Sequence, residues 1–276
     1  MQYLFLKKNL RKLSSCPFEN ILLAFDFDGT LTKITSRPQA TELSPKTRNL
    51  LYQLAREGST AVVSGRSLTS LKSKLGQMPA YLIGNHGIES SEMKPGSLVG
   101  LKKDCKNWGK SFKKVIKANH LEKDIEIEDK IFSLSLHYRC SNRKPHIKEW
   151  ILFQASKLAP PPRIILGKAV VNLVSKNALN KGTALLAIMK KLGLRNSFYI
   201  GDDITDEDVF TLPGALANQS VFTVRVGKKK TSKAKYFIKR QSEINRLLKV
   251  LHQNKLDSSG KLPKPNKIAQ TKNSHG

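Results

Sequence analysis

Two aspartates, Asp26 and Asp28, stand one residue apart near the end of the apolar run "ILLAFDFDGTL" (21–31). Carboxylates so close repel one another, and a cation between or beside them relieves the repulsion. A "DG" turn following a strand is the plainer alternative. A second apolar run, "SFYI", opens into "GDDITDEDVF", which brings Asp202, Asp203 and Asp206, with Glu207 and Asp208 behind them. A helix capped by Thr205, with Asp208 as its partner and acids in the first turn, accounts for Glu207 and Asp208. It leaves Asp202 and Asp203, which precede that helix, unexplained. A set of oxygen ligands with no His or Cys beside them suits a hard ion such as Mg²⁺. "AVVSGR" ends in Ser64, whose hydroxyl either donates to a phosphoryl oxygen or caps a turn. Lys181, in "NKGTAL", falls in the first turn of a helix, where the macrodipole disfavours a cation unless it faces an anion. A surface lysine is the other reading.

The elements that carry these residues alternate between short apolar runs and helical patterns, as in a parallel sheet wrapped by helices. "ILLAFDF" (21–27), "TAVVSG" (60–65), "AYLIGNHG" (80–87), "SFYIGDD" and "VFTVRVG" are the strands. "SPKTRNLLYQLAREG" reads as a helix capped by Ser44, with Pro45 in its first turn and Gly58 as its stop. "SLTSLKSKLG" reads as a second helix. "NKGTALLAIMKKLG" runs from a cap at Asn180 to Gly193. Strands of such a sheet end at the crevice where ligands bind, so Asp26 and Asp28 lie at that edge and Gly29 lets the chain turn away. Between about 90 and 175 the texture changes. "IEIEDKIFSLSLHYR" alternates as a strand, "PHIKEWILFQASKLA" is an amphipathic helix bearing Ile147, Trp150, Ile151 and Leu158, and "RIILGKAVVNLVS" reads as a hairpin turning at Gly167. A small α+β unit is thus expected to be inserted into an α/β sheet domain.

Four strand-end signals, DxDGT, Ser-Gly-Arg, Lys-Gly and GDDxxD, occur in one order, and together they resemble the haloacid dehalogenase (HAD) superfamily of phosphohydrolases. "GNHGIE" (84–89), "SLSLHYR" (133–139), "NKGTAL" and above all "GDDITDE" narrow the likeness to the trehalose-6-phosphate phosphatases. The resemblance implies a Rossmann-like HAD core with a parallel sheet and helices on both faces, at residues 17–89 and 176–252. It also implies an inserted α+β cap at 90–175 that closes over the sugar. Asp26 would be the nucleophile that forms an aspartyl phosphate, and Asp28 the general acid and base. Ser64 and Lys181 would bind phosphoryl oxygens. Mg²⁺ would be held by Asp26, the Asp28 carbonyl and Asp202, with Asp203 and Asp206 further out. Substrate contacts would fall to Gly65, Arg66, His86, Glu89, His137, Arg139, Lys168 and Asn172. One position departs from the family: a Glu followed by x-Arg/Lys-Pro is usual where this chain has Asn172, Val174 and Ser175. That change favours another glycosyl phosphate, of the sucrose phosphate or glucosyl- or mannosyl-glycerate type, as the alternative substrate. A basic, non-catalytic binding protein is a third reading, opposed by the intact Asp26, Asp28, Lys181 and Asp202.

The formal net charge of +28 suits either a polyanion or an anionic small substrate. Residues 227–276 hold 14 Lys/Arg against 2 Asp/Glu, and "LKKDCKNWGKSFKKVIKANHLEK" forms another basic cluster, while acids gather at 26–28 and 202–208. No familiar nucleic-acid motif accompanies the charge, so the expected partner is a small sugar phosphate, with nucleic acid no main partner. No run is long enough to cross a bilayer, and "MQYLFLKKNLRKL" reads as a short helix or frayed arm rather than a secretory signal. Cys16, Cys105 and Cys140 lack metal-like spacing and suggest reduced thiols in a cytoplasm. The stretch 253–276 is polar, aperiodic and basic, and is expected to be a disordered tail.

Overall fold

A computed structural model describes residues 1–35, 38–78, 80–91, 98–214 and 220–260. In chain order its strands and helices are β1 (Gln2–Tyr3), α1 (Lys7–Ser14), β2 (Ile21–Asp26), α2 (Pro45–Glu57), β3 (Thr60–Val63), α3 (Leu68–Leu75), β4 (Tyr81–Gly84), β5 (Glu89–Ser90) and α4 (Val99–Ala118). There follow β6 (Glu126–Asp129), β7 (Ser133–His137), α5 (Lys144–Ser156), β8 (Pro162–Gly167), β9 (Val170–Ser175), α6 (Lys181–Lys191), β10 (Asn196–Gly201), α7 (Glu207–Phe210), β11 (Ser220–Val226), β12 (Tyr236–Ile238) and α8 (Ile244–Ser258).

Eight strands form one sheet in the order β1-β12-β11-β10-β2-β3-β4-β5, parallel throughout except for the antiparallel pair β4/β5. All six residues of β2 are buried, because the strand is central and covered on both faces, which is why its sequence is apolar without alternation. Leu23 and Phe25 pack with Leu51, Leu54, Leu247, Leu248 and Leu251 of α2 and α8 on one face. Leu22 and Ala24 pack with Leu185, Ile188, Met189, Val209 and Phe210 of α6 and α7 on the other. The expected parallel α/β architecture is what the chain adopts.

The expected α+β unit is present as a second, antiparallel sheet in the order β6-β7-β9-β8. Leu134, Leu136, Val171 and Leu173 alternate onto one face, where they meet Cys105, Trp108, Phe112 and Ile116 of α4 and Ile147 and Ile151 of α5. The other face carries Glu128, Ser135, Asn172 and Ile165, aligned across the four strands.

Three local expectations need correction. The opening residues do hold a short helix, α1, but not as a frayed surface arm: Gln2–Tyr3 pair with β12, and Leu4 and Leu13 are fully buried. The start of the tail is ordered, since α8 continues to Ser258 and buries Lys255, whose ammonium donates to the Phe18 carbonyl at 2.6 Å. The remainder of that stretch, 261–276, lies outside the described residues. Thr205 is not the cap of α7, because its hydroxyl donates to Asp203 and α7 begins after Asp206. The basic cluster at 101–123 coincides for most of its length with α4 (Val99–Ala118), whose apolar stripe is obscured by lysines.

Candidate active site

β2 lies between β3 and β10, where the strand order reverses, so a crevice opens at the C-terminal ends of these strands. Asp26 is the last residue of β2 and is only 4% exposed. Lys181, the first residue of α6 and 1% exposed, donates to Asp26 Oδ1 and to Asp206 Oδ1, each at 2.8 Å. The helix start is fixed independently of Lys181 by a reciprocal cap between Asn180 and Thr183. Lys181 therefore faces two carboxylates despite the macrodipole, and they hold its ammonium charged against the cost of burial. Burial pushes the Asp26 carboxyl well upward; Lys181 opposes this, while Asp206, Asp202 and Asp203 add to it.

Asp206 is fully buried and accepts four hydrogen bonds. Oδ1 takes Lys181 Nζ and the Tyr199 hydroxyl, and Oδ2 takes the backbone N–H groups of Asp202 and Asp203 at 2.8 and 2.9 Å. Its lone pairs thus fold the loop after β10 around one carboxylate. Asp203 Oδ1 accepts from the Thr205 N–H and hydroxyl at 2.8 and 2.7 Å. Although burial raises its carboxyl, Lys181 and those donors hold it below the usual range. Asp202 has one weak partner, the Thr30 hydroxyl at 3.3 Å, and burial beside Asp206 and Asp203 pushes its carboxyl up to about 7. It lies against Gly29, where φ is +84° and a Cβ would come within 2.2 Å of Asp202 Oδ2. Only glycine fits that turn.

Asp26, Asp202 and Asp206 each bring a carboxylate oxygen within 4.8 Å of the others. Asp26 Oδ2 is buried without a hydrogen-bond partner. An orphaned carboxylate oxygen beside an under-partnered second carboxylate fits a hard divalent cation. Asp206, already saturated, shapes the loop that presents Asp202.

Ser64 follows β3 and is buried beside the end of β2; its Oγ accepts from the Arg66 N–H at 3.2 Å. Arg66 grips Asp28 through two parallel bonds, Nε to Oδ2 at 2.7 Å and an Nη to Oδ1 at 2.6 Å. Asp26 and Asp28 thus face different cations. His86 has positive φ and lies directly over Gly65, where a Cβ would stand 2.4 Å from its Cε1. Burial and the neighbouring Lys181 and Lys130 lower His86 to about 3, so its ring is neutral. Glu89 Oε2 accepts from the Leu68 N–H that starts α3 and from the Asn85 amide at 2.9 and 2.6 Å.

Asn85 also ties the two sheets together, accepting from the Ser133 hydroxyl and donating to the Lys130 carbonyl. On the second sheet His137 pairs with Glu128 at 2.8 Å, and Lys130 lies 3.5 Å from the same carboxylate. Burial lowers the Lys130 ammonium, while Glu128 holds it up. Asn172 accepts from Ser135 at 2.6 Å and donates to the Ile165 carbonyl. Arg139 and Lys168 are exposed near the end of the sheet away from Ser133.

Sequence reasoning missed four residues here. Glu128 and Lys130 were legible in "EDK" before a strand, and Asn85 in "GNHG". Arg225 gave no signal: it lies within β11 and donates to the backbone carbonyls of Asp202 and Asp203, and to Glu207 at 3.3 Å. Its guanidinium braces the acidic loop from behind.

With this geometry in view, likeness to known proteins is specific. A family model described as Trehalose-phosphatase matches residues 24–242. "Probable trehalose-phosphate phosphatase D" of Arabidopsis thaliana is 30% identical over 257 residues, covering 84% of this chain and 67% of that protein. "Probable trehalose-phosphate phosphatase 4" of Oryza sativa is 27% identical over 207 residues, 70% of this chain and 55% of its own length. The chain thus spans little more than half to two thirds of these relatives. Among solved structures, the Candida albicans trehalose-6-phosphate phosphatase C-terminal domain superposes with TM-score 0.74 at 21% identity, over 88% of this chain and 96% of that one. A haloacid dehalogenase-like hydrolase from Bacteroides thetaiotaomicron gives 0.57 at 15% identity, over 85% of this chain and 99% of that one.

Proposed function

The chain belongs to the trehalose-phosphatase family of the haloacid dehalogenase superfamily, and we propose that it is a Mg²⁺-dependent phosphatase that hydrolyses trehalose 6-phosphate through an aspartyl phosphate. The observation that carries this is Asp26: one oxygen is pinned by Lys181, and the other is buried, unpartnered and placed at the switch point of the sheet. Such an oxygen is pre-aimed for in-line attack on phosphorus, because Lys181 fixes the carboxylate plane. Asp28 protonates the leaving sugar oxygen and then takes a proton from the attacking water. Ser64 and Lys181 hold phosphoryl oxygens and stabilise the charge that develops on them. Mg²⁺, held by Asp26, the Asp28 carbonyl and Asp202, would offset the repulsion between these carboxylates and a phosphate dianion.

In this reading the core domain comprises 17–89 and 176–252, extended by β1 and α1 at its start and by α8 to Ser258 at its end, and 90–175 is the cap that closes over the sugar. Of the expected substrate contacts, Arg66, His86, His137, Arg139, Lys168 and Asn172 remain with the substrate. Gly65 lets His86 approach the phosphate loop, and Glu89 holds α3 and Asn85 in position. A second substrate, another glycosyl phosphate such as sucrose phosphate or a glucosyl- or mannosyl-glycerate phosphate, is favoured by one observation. Asn172 already bridges Ser135 and Ile165, which leaves it a single N–H for a sugar and no carboxylate.

Initial rates of phosphate release over a panel of sugar monophosphates, with Mg²⁺ and with EDTA, separate these readings. Trehalose 6-phosphate turning over fastest, with loss of rate in EDTA, supports the first substrate. Preference for another glycosyl phosphate supports the second. Absence of metal-dependent turnover on the whole panel would leave only the binding-protein reading.

A further inference from the structure

The outer surface of the second sheet's helical layer has no part in that chemistry, yet it concentrates charge. Seven lysines of α4, Lys102, Lys103, Lys106, Lys110, Lys113, Lys114 and Lys117, are exposed. Five of them, at 103, 106, 110, 113 and 117, recur at intervals of three and four and so make one straight row along the helix. At 1.5 Å per residue the row is about 21 Å long. Among the described residues none of the seven is ion-paired with a carboxylate, and Asp104 is the helix's one acid. Neighbouring α5 adds Lys144 and Lys148 against Glu149.

Helix stability does not account for this arrangement. Like charges at three- and four-residue spacing repel one another, and Lys102 stands in the first turn, where the macrodipole disfavours it. A row that weakens its own helix is relieved by an anion of matching shape. The anion must be linear, because the charges fall on one ridge, and it must be read by charge alone, because no aromatic side chain of α4 is exposed for base stacking. A membrane surface fits less well: a helix lying on lipid inserts an apolar face, and here Cys105, Trp108, Phe112 and Ile116 are already buried against the sheet.

We propose that the lysine row of α4 binds the phosphate backbone of double-stranded nucleic acid, without sequence preference, on the side of the helix that faces away from the second sheet. Each strand of a duplex presents a phosphate about every 3.4 Å of axis, so 21 Å offers about six on one strand, enough to engage all five lysines. This would be a second activity of the chain and does not depend on the substrate of the first.

The test is fluorescence anisotropy of a labelled DNA duplex of about 20 base pairs, titrated with the full-length protein across a salt series. The expected wild-type log–log salt slope is about −4 or steeper, and K103Q/K106Q/K110Q/K113Q/K117Q should lose about 4 of those units and on the order of 100-fold in affinity at low salt. A charge-matched control, K7Q/K8Q/K12Q/K46Q/K249Q, removes exposed lysines elsewhere and should bind within about threefold of wild type. Both variants should release phosphate from an aryl phosphate at the wild-type rate, which reports that they are folded. Should the fivefold variant fail to fold, K106Q/K110Q/K113Q is expected to lose about 3 units of slope. An unchanged slope in the helix variant, an equal loss in the control, or absence of wild-type binding at low salt overturns the proposal. So does tighter binding to phosphatidylcholine–phosphatidylserine vesicles than to duplex.

Discussion

Asp202 and Asp206 stand in one loop with the same side chain, and neutralising them should move stability in opposite directions. Asp206→Asn exchanges one carboxylate oxygen for an NH₂ group. Whichever way the amide turns, it faces either Lys181 and Tyr199 or the N–H groups of Asp202 and Asp203, so two buried donors lose their acceptor. At about 1–3 kcal/mol for each stranded group the loss is about 2–6 kcal/mol. Asp202 has the reverse sign. Its carboxyl is raised from 3.8 to about 7, so the folded state holds the proton more tightly than the unfolded state. Stability is therefore lost as pH rises through that window, and above it the charge costs up to about 4 kcal/mol. Partial exposure reduces this to about 2 kcal/mol. Asp202→Asn removes the penalty. Thermal melts in EDTA at about pH 8, at roughly 2–4 °C per kcal/mol, should place D206N at least about 4 °C below wild type and D202N above it by several degrees. D206N melting within roughly 2 °C of wild type, or D202N falling with it, would refute the division of roles.

Divalent-ion affinity, measured by Mn²⁺ paramagnetic resonance, should strengthen as pH rises through about 7, because Asp202 must lose its proton to bind, and flat affinity from pH 5 to 8 would contradict this. Arg225→Gln should weaken Mn²⁺ binding roughly tenfold, as second-layer changes do at metal sites, with Arg225→Lys intermediate; unchanged binding would remove Arg225 from the site. Glu89→Ala should lower stability by about 2 kcal/mol while changing KM less than about threefold, since its oxygen holds Leu68 and Asn85; a large KM effect without destabilisation would return it to the sugar. A chain ending at residue 260 should keep wild-type melting, whereas one ending at 253 loses the buried Lys255 and its bond to Phe18 and should melt lower. Equal melting of the two would make the last turns of α8 dispensable.

Much of the scaffold was legible because Asp26 and Asp202 each follow a run of buried residues. Asp26 after "ILLAF" and Asp202 after "SFYI" mark parallel strands whose two covered faces leave no polar alternation. Lys181 was legible as an anomaly, a cation in a first turn. The division of labour among the acids was not, because it depends on which carboxylate collects backbone donors, and that follows from how the loop folds back. Arg225 was hidden for a related reason: "VFTVRVG" reads as an ordinary strand, and the carbonyls it braces are 22 and 23 residues away in the chain. α4 was obscured by its own lysines, which outnumber the stripe at 105, 108, 112 and 116. β1, with two residues, is too short for any period to register.

The most direct measurement is acid-quenched mass spectrometry of the protein mixed with trehalose 6-phosphate, the proposed substrate, and Mg²⁺, followed by peptide mapping. A phosphoryl group on the peptide containing Asp26, absent from Asp26→Asn, is the expected result. Steady turnover with that peptide unmodified, or an Asp26→Asn variant at near wild-type rate, would contradict the assignment of Asp26 as nucleophile.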